Sequence, residues 1–377
     1  MSSEGAPASN TPAWARIVIV VLLLIVFLVG IKLLGGSFKM VGKETAKSLF
    51  EGLRNPFAGL AVGILATVLV QSSSVTTAVV VGLVGGGELS VGSAVPVIMG
   101  ANIGTSVTNT LVSIGHITRN AEFKRAFAGA TMHDFFNLIA VAILLPVELT
   151  TGVLQRSAVA LTEMFAGAGG VAFKSPIKVF IGKLAGVIVD GFEALGLEGW
   201  ACAIPTLACG LLFIMAALVF ITRNMRVLLA GRMERALNRA LGRSGILAMG
   251  IGVLITVAVQ SSSITTSLLV PLIGAGVLSL EVAFPITLGA NIGTTITALL
   301  AALAADKTDG LTIALVHLLF NTAGILLLYP IPAIRRIPLR MAEFLGALAV
   351  RNRLLVVAYI GVVFVLLPLL GILLFRG

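Results

Sequence analysis

Residues 70–77 read VQSSSVTT and residues 259–266 read VQSSSITT, each inside a run that is otherwise almost wholly apolar. Three adjacent hydroxyls beside an amide supply donors that can wrap an oxyanion without any fixed positive charge. A helix interrupted in apolar surroundings exposes N–H groups at one new end, which favour an anion. It exposes carbonyls at the other, and these, with hydroxyl and amide oxygens, suit a bare Na+. Two such turns facing each other could cradle a tetrahedral anion between them. The plainer reading is that serine and threonine in an apolar helix bond back to the i−4 carbonyl and aid packing. The duplication weighs against it, because each triplet is also followed by an asparagine in the string GANIGT (Asn102, Asn291).

The elements that must position these residues come in two copies. A shift of 189 positions, Gln71 onto Gln260, lays Gly63–Leu111 on Gly252–Leu300 without a gap, with more than half of the positions identical. Gln71, Ser72, Ser73, Ser74, Thr76 and Thr77 match Gln260, Ser261, Ser262, Ser263, Thr265 and Thr266; Asn102, Gly104 and Thr105 match Asn291, Gly293 and Thr294. HDFFN at 133–137 then faces HLLFN at 317–321. Each half is predicted as an apolar stretch into the QSSS turn, an apolar stretch out, a glycine bend (Gly85–Gly87; Gly274–Gly276), GANIGT, and a full-length helix. The first part is expected to be a re-entrant hairpin with its serines near the tip. GANIG is expected to break the following helix in both copies, since glycine is a poor helix former and asparagine competes for the backbone.

Of 377 residues, 58% are hydrophobic and 11% charged, less than half the charge of a soluble domain. Trp14–Leu34, Cys202–Thr222 and Leu354–Phe375 are long enough to cross a bilayer, with Phe136–Val147 and Leu311–Tyr329 close behind. Aromatics are few and alternation is absent, so the fold class is an all-α polytopic membrane protein with two inverted-topology repeats, not a β-barrel. The expected divisions are 1–54, an anchor helix and amphipathic segment; 55–150, the first repeat; 151–243, an outer linker, connecting membrane helix and basic cytoplasmic loop; 244–332, the second repeat; and 333–377, a basic loop and C-terminal membrane helix. The N-terminus reads as a retained signal anchor. No stretch is large enough for a separate catalytic domain, so an enzyme is not expected.

The net charge of +10 follows from topology and not from a nucleic-acid partner. Thr222–Arg243 carries six arginines, and Arg119–Arg125 and Arg335–Arg340 are also basic, whereas Asp306–Asp309 is acidic on balance. The segment after GANIGT is thus basic in one half and acidic in the other, which implies that the halves are inverted, with the N-terminus cytoplasmic. Phe38–Arg54, with Lys39, Lys43 and Lys47, dissents and is expected to be an interfacial helix on the outer side. Cys202 and Cys209 read as buried small hydrophobes.

Asp134 is the one carboxylate placed near the turns, and an ionisable residue at membrane depth defaults to function. Its counterpart is Leu318; a structural pairing with Arg125 is the alternative. His133 and His317 are read as packing histidines, Asn137 and Asn321 as bonding across helices, and Gly100, Gly104, Gly289 and Gly293 as sites of close backbone approach.

On the paired QSSS blocks, MGANIGTSVTNT, FKRAFAGATMHDFFN, PLIGAGV, TLGANIGTT, and LYPIP with IPLRMA, the chain resembles the type II sodium–phosphate cotransporter family from about Ile31 to Phe375. The resemblance implies Na+-driven uptake of inorganic phosphate by alternating access. By position, Ser72–Ser74 and Ser261–Ser263 would hold phosphate. Gln260, Ser261, Thr105 and Thr294 would contribute to Na+ sites, with Gln71, Asn102, Asn291 and Asp134 completing the candidate set. An aspartate at the position of Asp134 accompanies electrogenic coupling in that family, implying three Na+ per HPO4 2−. The large disulfide-bearing outer loop of the vertebrate members is reduced here to roughly Thr150–Trp200 without cysteine. Expected partners are phosphate, Na+ as the coupling ion with no other cofactor, and lipid, in a bacterial inner membrane, with a homodimer the assembly considered.

Three rival readings stay open at this point. The same cage fits sulfate, arsenate or a small carboxylate. Symmetric broken helices also occur in anion channels. A serine hydrolase is disfavoured because no GxSxG occurs and His133 and His317 lie beyond the aligned blocks.

Overall fold

The computed structural model describes residues 11–41, 50–168, 176–240 and 245–375, and every regular element among them is helical. Helix α1 is Ala13–Val41. A single 3-10 turn, Glu51–Arg54, leads into α2, Pro56–Val70. Helices α3 (Ser73–Gly86), α4 (Val91–Gly104), α5 (Val107–Ile114) and α6 (Asn120–Thr151) complete the first half. Between the halves lie α7 (Val153–Ala168), α8 (Pro176–Ala194) and α9 (Trp200–Ala240). The second half comprises α10 (Gly245–Val259), α11 (Ser262–Gly274), α12 (Leu280–Ala302) and α13 (Asp309–Leu328). An amphipathic α14 (Pro332–Arg351) follows, then α15 (Leu354–Gly361), a π-helical turn (Val362–Leu366) and α16 (Leu367–Phe375).

Among the described residues seven segments are long and apolar enough to span a membrane: α1, α4 with α5, α6, Trp200–Leu229 of α9, α12, α13 and Leu354–Phe375. This is a multi-pass membrane protein. The arms of the two hairpins are different. At 15, 14, 15 and 13 residues, they reach about 20 Å each, short of the roughly 30 Å hydrocarbon core.

Local chemistry sets the hairpin ends. Asn55 caps α2, its side chain accepting from the Phe57 N–H at 3.0 Å, with Pro56 in the first turn where a missing N–H is harmless. Gly87, at φ 89°, closes α3 by donating to the Leu83 and Val84 carbonyls. In the second half Gly276, at φ 76°, turns the chain between α11 and α12. The incoming arm α2 packs closely on α4, the helix after its hairpin, as α10 does on α12. A Cβ on Gly63 or Gly100 would lie 2.1 and 2.0 Å from the Val97 and Leu60 carbonyl oxygens, and one on Gly252 or Gly289 would lie 2.1 and 1.9 Å from those of Ile286 and Met249. Gly104 and Gly293 face Thr67 and Thr256 at 2.7 and 2.6 Å in the same sense. Close approach is what these glycines provide.

The two hairpins open at opposite ends of α12. The Lys307 N–H, just past the C-terminus of α12, donates to Gly85 O at 2.9 Å, and Gly85 lies against Ala305 and Gly310. Arg125 Nε donates to Gly274 O, also at 2.9 Å, beside the N-terminus of α12. Those ends are about 35 Å apart along a 23-residue helix. Each outgoing arm packs against the other half: α3 against α12 and α13, and α11 against α5 and α6.

Several expectations are corrected. GANIG breaks only the first copy, at Thr105–Ser106; α12 runs unbroken through the second. Past the motif the first copy continues SVTNT, whereas the second continues TITALLAA, whose alanines and leucines favour helix. The basic loop expected over Thr222–Arg243 is the continuation of α9 as far as Ala240, again a run of strong helix formers; 241–244 lie outside the described residues. Arg335–Arg340 is not a loop either. Pro338, Leu339, Ala342, Gly346 and Ala349 recur at helical spacing and bury one face of α14. The segment expected to be an outer linker is, among its described residues, largely α7 and α8. Lys39 belongs to α1, while Lys43 and Lys47 lie outside the described residues. The positive charge of Lys39 is matched: it and Lys32 both pair with Asp306 in the loop after α12.

Candidate functional site

At each hairpin tip one glutamine adopts a left-handed backbone, Gln71 at φ 57° and Gln260 at φ 58°, the two non-glycine residues at positive φ among those described. Such a conformation costs an L-residue about 1–2 kcal/mol. Its adoption by glutamine in both copies, where glycine would be relaxed, points to the side chain. Gln71 Nε2 donates to Val68 O and Gln260 Nε2 to Val257 O, both at 2.6 Å. Their Oε1 atoms accept from Thr108 (3.1 Å) and Thr297 (3.0 Å). The tip is therefore stapled to the segment that follows GANIG, identically in both halves.

The next residue caps the outgoing arm. Ser72 (φ −154°, ψ 108°) accepts from the Val75 N–H and Ser261 (φ −154°, ψ 112°) from the Ile264 N–H. Thr67 bonds Thr76 at 3.1 Å, and Thr256 bonds Thr265 at 2.8 Å, tying incoming to outgoing arm. Ser73, Ser74 and Ser262 are buried, while Ser72, Ser261 and Ser263 are partly exposed. The two tips meet where Ser74 Oγ donates to Gln260 O at 3.5 Å, and the second hairpin also reaches α5, Thr266 Oγ1 donating to Asn109 Oδ1 at 2.9 Å. Both serine triplets thus sit at helix N-termini, a chemistry suited to an oxyanion.

Beside the tips runs a buried polar ladder that crosses between the halves. His133 Nε2 donates to Asn291 Oδ1 (2.6 Å), Asn291 Nδ2 to Asn137 Oδ1 (2.9 Å), and Asn137 Nδ2 to Asn102 O (2.9 Å). His317 Nε2 faces Asn102 Oδ1 at 3.4 Å. Each histidine therefore reaches the asparagine of the opposite half. Asn102 Nδ2 and both Nδ1 atoms are buried without a protein partner. Asn137 bonds across helices, as expected; Asn321 does not, donating to His317 O on its own helix. Thr105 and Thr294 each return to the i−4 carbonyl, of Ala101 and Ala290, at 3.0 Å.

Asp134 is completely buried. Arg125 is not its partner, because its guanidinium is turned to Gly274 at the mouth of the second hairpin. Tyr359 Oη instead donates to Asp134 Oδ2 at 2.8 Å, and Oδ1 has no partner. Ser106, at the helix break, lies beside the carboxylate but gives its proton to Ile103 O (3.2 Å). The broken helix is the one in the half that carries the aspartate. Tyr359, Asn109, Thr108 and Thr297 escaped the sequence reading. The two threonines had a signal, lying 37 residues after their glutamines in both copies; Tyr359 had none.

Cavities of ≈ 710 Å³ and ≈ 570 Å³ flank the two hairpin mouths. Lys39, Arg54 and Lys307 with Glu88 and Asp309 line the first, and Lys124 and Arg125 with Glu281 and Glu343 the second. Neither lining includes a residue of the serine triplets.

A family model described as Na+/Pi-cotransporter matches residues 26–173 and 211–365. The sodium-dependent phosphate transport protein 2A of Rattus norvegicus is 36% identical over 416 residues, spanning 92% of this chain and 65% of the relative. The 2B protein of Homo sapiens is 34% identical over 444 residues, spanning 94% and 64%. The chain thus covers a little under two thirds of the length of these relatives. No solved structure matches it. Two copies of a capped, glutamine-turned hairpin, and a family match running through both, place this chain in the Na+/Pi-cotransporter family.

Proposed function

We propose that the chain is a secondary active transporter that imports inorganic phosphate with Na+ through alternating access, and that it performs no covalent chemistry. The observation that carries this reading is the meeting of two helix N-termini from different halves, each presenting three serines, of which Ser73, Ser74 and Ser262 are buried. Ser72–Ser74 and Ser261–Ser263 hold the oxyanion through N–H and hydroxyl donors. Carbonyls and amide oxygens around Gln71, Gln260, Asn102, Asn291, Thr105 and Thr294 serve Na+, and Asp134 carries the charge that makes transport electrogenic, with three Na+ per HPO4 2−. Irregular backbone at membrane depth is tolerated where it lines a substrate path. Hairpins entering from opposite faces give each face its own gate, and the cavities at their mouths are the vestibules. The relatives named as sodium-dependent phosphate transporters favour phosphate over sulfate, arsenate or a carboxylate. The basic end of the bundle fits the cytoplasmic side of a bacterial inner membrane, with the N-terminus inside.

The test is labelled phosphate uptake into liposomes carrying the purified chain, with Na+ and pH gradients imposed separately. Uptake should follow the Na+ gradient and evoke a current. Uptake unchanged when choline replaces Na+ would favour a channel, and uptake following only the pH gradient would replace Na+ by protons. Alanine at all three serines of either triplet should abolish uptake while the protein stays folded.

A further inference from the structure

We infer that Tyr359, on the C-terminal helix outside both repeats, is a positioning residue for the cation site at Asp134, holding one carboxylate oxygen so that the other stays free for the ion. The inference rests on reading Asp134 as part of a Na+ site. The chemistry is one-sided. Oδ2 receives the Tyr359 hydroxyl at 2.8 Å, whereas Oδ1 is buried and has no partner. Ser106 stands beside the carboxylate at the helix break between α4 and α5, a second oxygen on the side chains around Asp134. A carboxylate gripped at one oxygen cannot rotate its free oxygen away. That fixed geometry favours a small cation over its water shell.

The tyrosine is itself held. Its ring packs with Phe127, Phe135 and Phe364 at centroid distances of 6.3, 6.5 and 5.9 Å. Three residues further on, the helix passes through the π turn Val362–Leu366, a feature that recurs at functional sites. The helix is anchored at its start by Arg353, which donates to Asn120 and lies over the Phe123 ring at 4.6 Å. The second half has Leu318 where the first has Asp134, so a single C-terminal helix serves the one half that carries an acid.

A purely structural tyrosine would be replaced by phenylalanine without change in ion dependence, because the ring contacts remain. The discriminating experiment compares wild type, Asp134→Gly, Tyr359→Phe and the double variant in liposomes. Phosphate uptake and the thermal midpoint are both titrated with NaCl against choline chloride at constant ionic strength. Tyr359→Phe should raise the half-saturating Na+ about tenfold, the factor that one hydrogen bond to a charged group contributes, and should add less than about twofold once Asp134 is glycine. An equal shift in both backgrounds, or none in either, overturns the role of Tyr359. An Asp134→Gly variant with unaltered Na+ dependence overturns instead the reading of Asp134 on which the inference rests. A readout that needs no substitution at Tyr359 comes from the chain's having two tyrosines. With 3-fluorotyrosine incorporated and the resonances assigned by Tyr329→Phe, the Tyr359 signal should move with Na+ and not with choline. A Tyr359 signal indifferent to Na+ would overturn the inference.

Discussion

Replacing Gln260 by glycine separates what the turn needs from what the site needs. The left-handed backbone at φ 58° is strained for glutamine and relaxed for glycine. Relief of about 1–2 kcal/mol is offset by about 0.5–1 kcal/mol for the greater freedom of glycine in the unfolded chain. Two hydrogen bonds are lost, Nε2 to Val257 O and Thr297 to Oε1, at about 0.5–1.5 kcal/mol each. The sum runs from about 0.5 kcal/mol of stabilisation to about 3 kcal/mol of destabilisation, so Gln260→Gly should still fold, with a modestly lowered thermal midpoint. If the amide organises the ion site, Na+-driven phosphate uptake should nevertheless fall by two orders of magnitude or more. Gln260→Asn is the control: asparagine tolerates the left-handed region, but its amide is one methylene too short to reach Thr297. It should match the glycine variant in stability and in loss of uptake. The assay is initial-rate uptake at saturating Na+ beside a melting curve. Normal uptake by the glycine variant would show that glutamine serves only as a turn residue.

Further outcomes follow from the packing and the charges. Gly100→Ala and Gly289→Ala place a Cβ about 2 Å from a carbonyl oxygen and should destabilise by about 3 kcal/mol or more, whereas Gly182→Ala, with nothing within 4 Å, should be neutral or slightly stabilising; thermal midpoints decide. His133→Ala strands the buried Asn291 oxygen and should cost about 1–3 kcal/mol, measurable by the same melts. Burial pushes the Asp306 carboxyl up, but the Lys32 and Lys39 ammonium groups more than reverse this and hold it below the usual carboxylate range. Because the folded value is depressed, the ion-pair contribution is present at neutral pH and lost as pH falls through that low value. Asp306→Asn should therefore lower the midpoint at pH 7 and lose its effect in strong acid. The lysines are partly exposed, so the stabilisation is at most about 1 kcal/mol.

Much of the architecture was legible in the sequence because it is written twice. The alignment of Gln71 with Gln260 located both tips, and apolar length located five of the seven spans among the described residues; Val91–Ile114 and Leu280–Ala302, where glycine, asparagine and threonine dilute the apolar residues, were missed. What escaped did so for physical reasons. The arginines of α14 obscured an apolar stripe at helical spacing, so the segment read as a loop. Identical GANIGT strings behave differently because helix continuity there depends on the residues that follow, Asn109 against Ala298 above all. Tyr359 lies in a uniformly apolar span with no duplicate, and only the folded chain brings it to Asp134 across 225 positions. The crossed pairing of His133 with Asn291 and His317 with Asn102 was likewise invisible, since a repeat alignment reveals equivalence and not which half touches which.

The central claim is that the N-termini of α3 and α11 jointly hold the oxyanion. A structure determined with Na+ and arsenate, whose anomalous scattering marks the bound anion, tests it most directly. The account predicts a tetrahedral peak between Ser72–Ser74 and Ser261–Ser263, lost on removing either triplet. Anomalous density confined to the vestibules, with the serine tips closed on each other and empty, would contradict it.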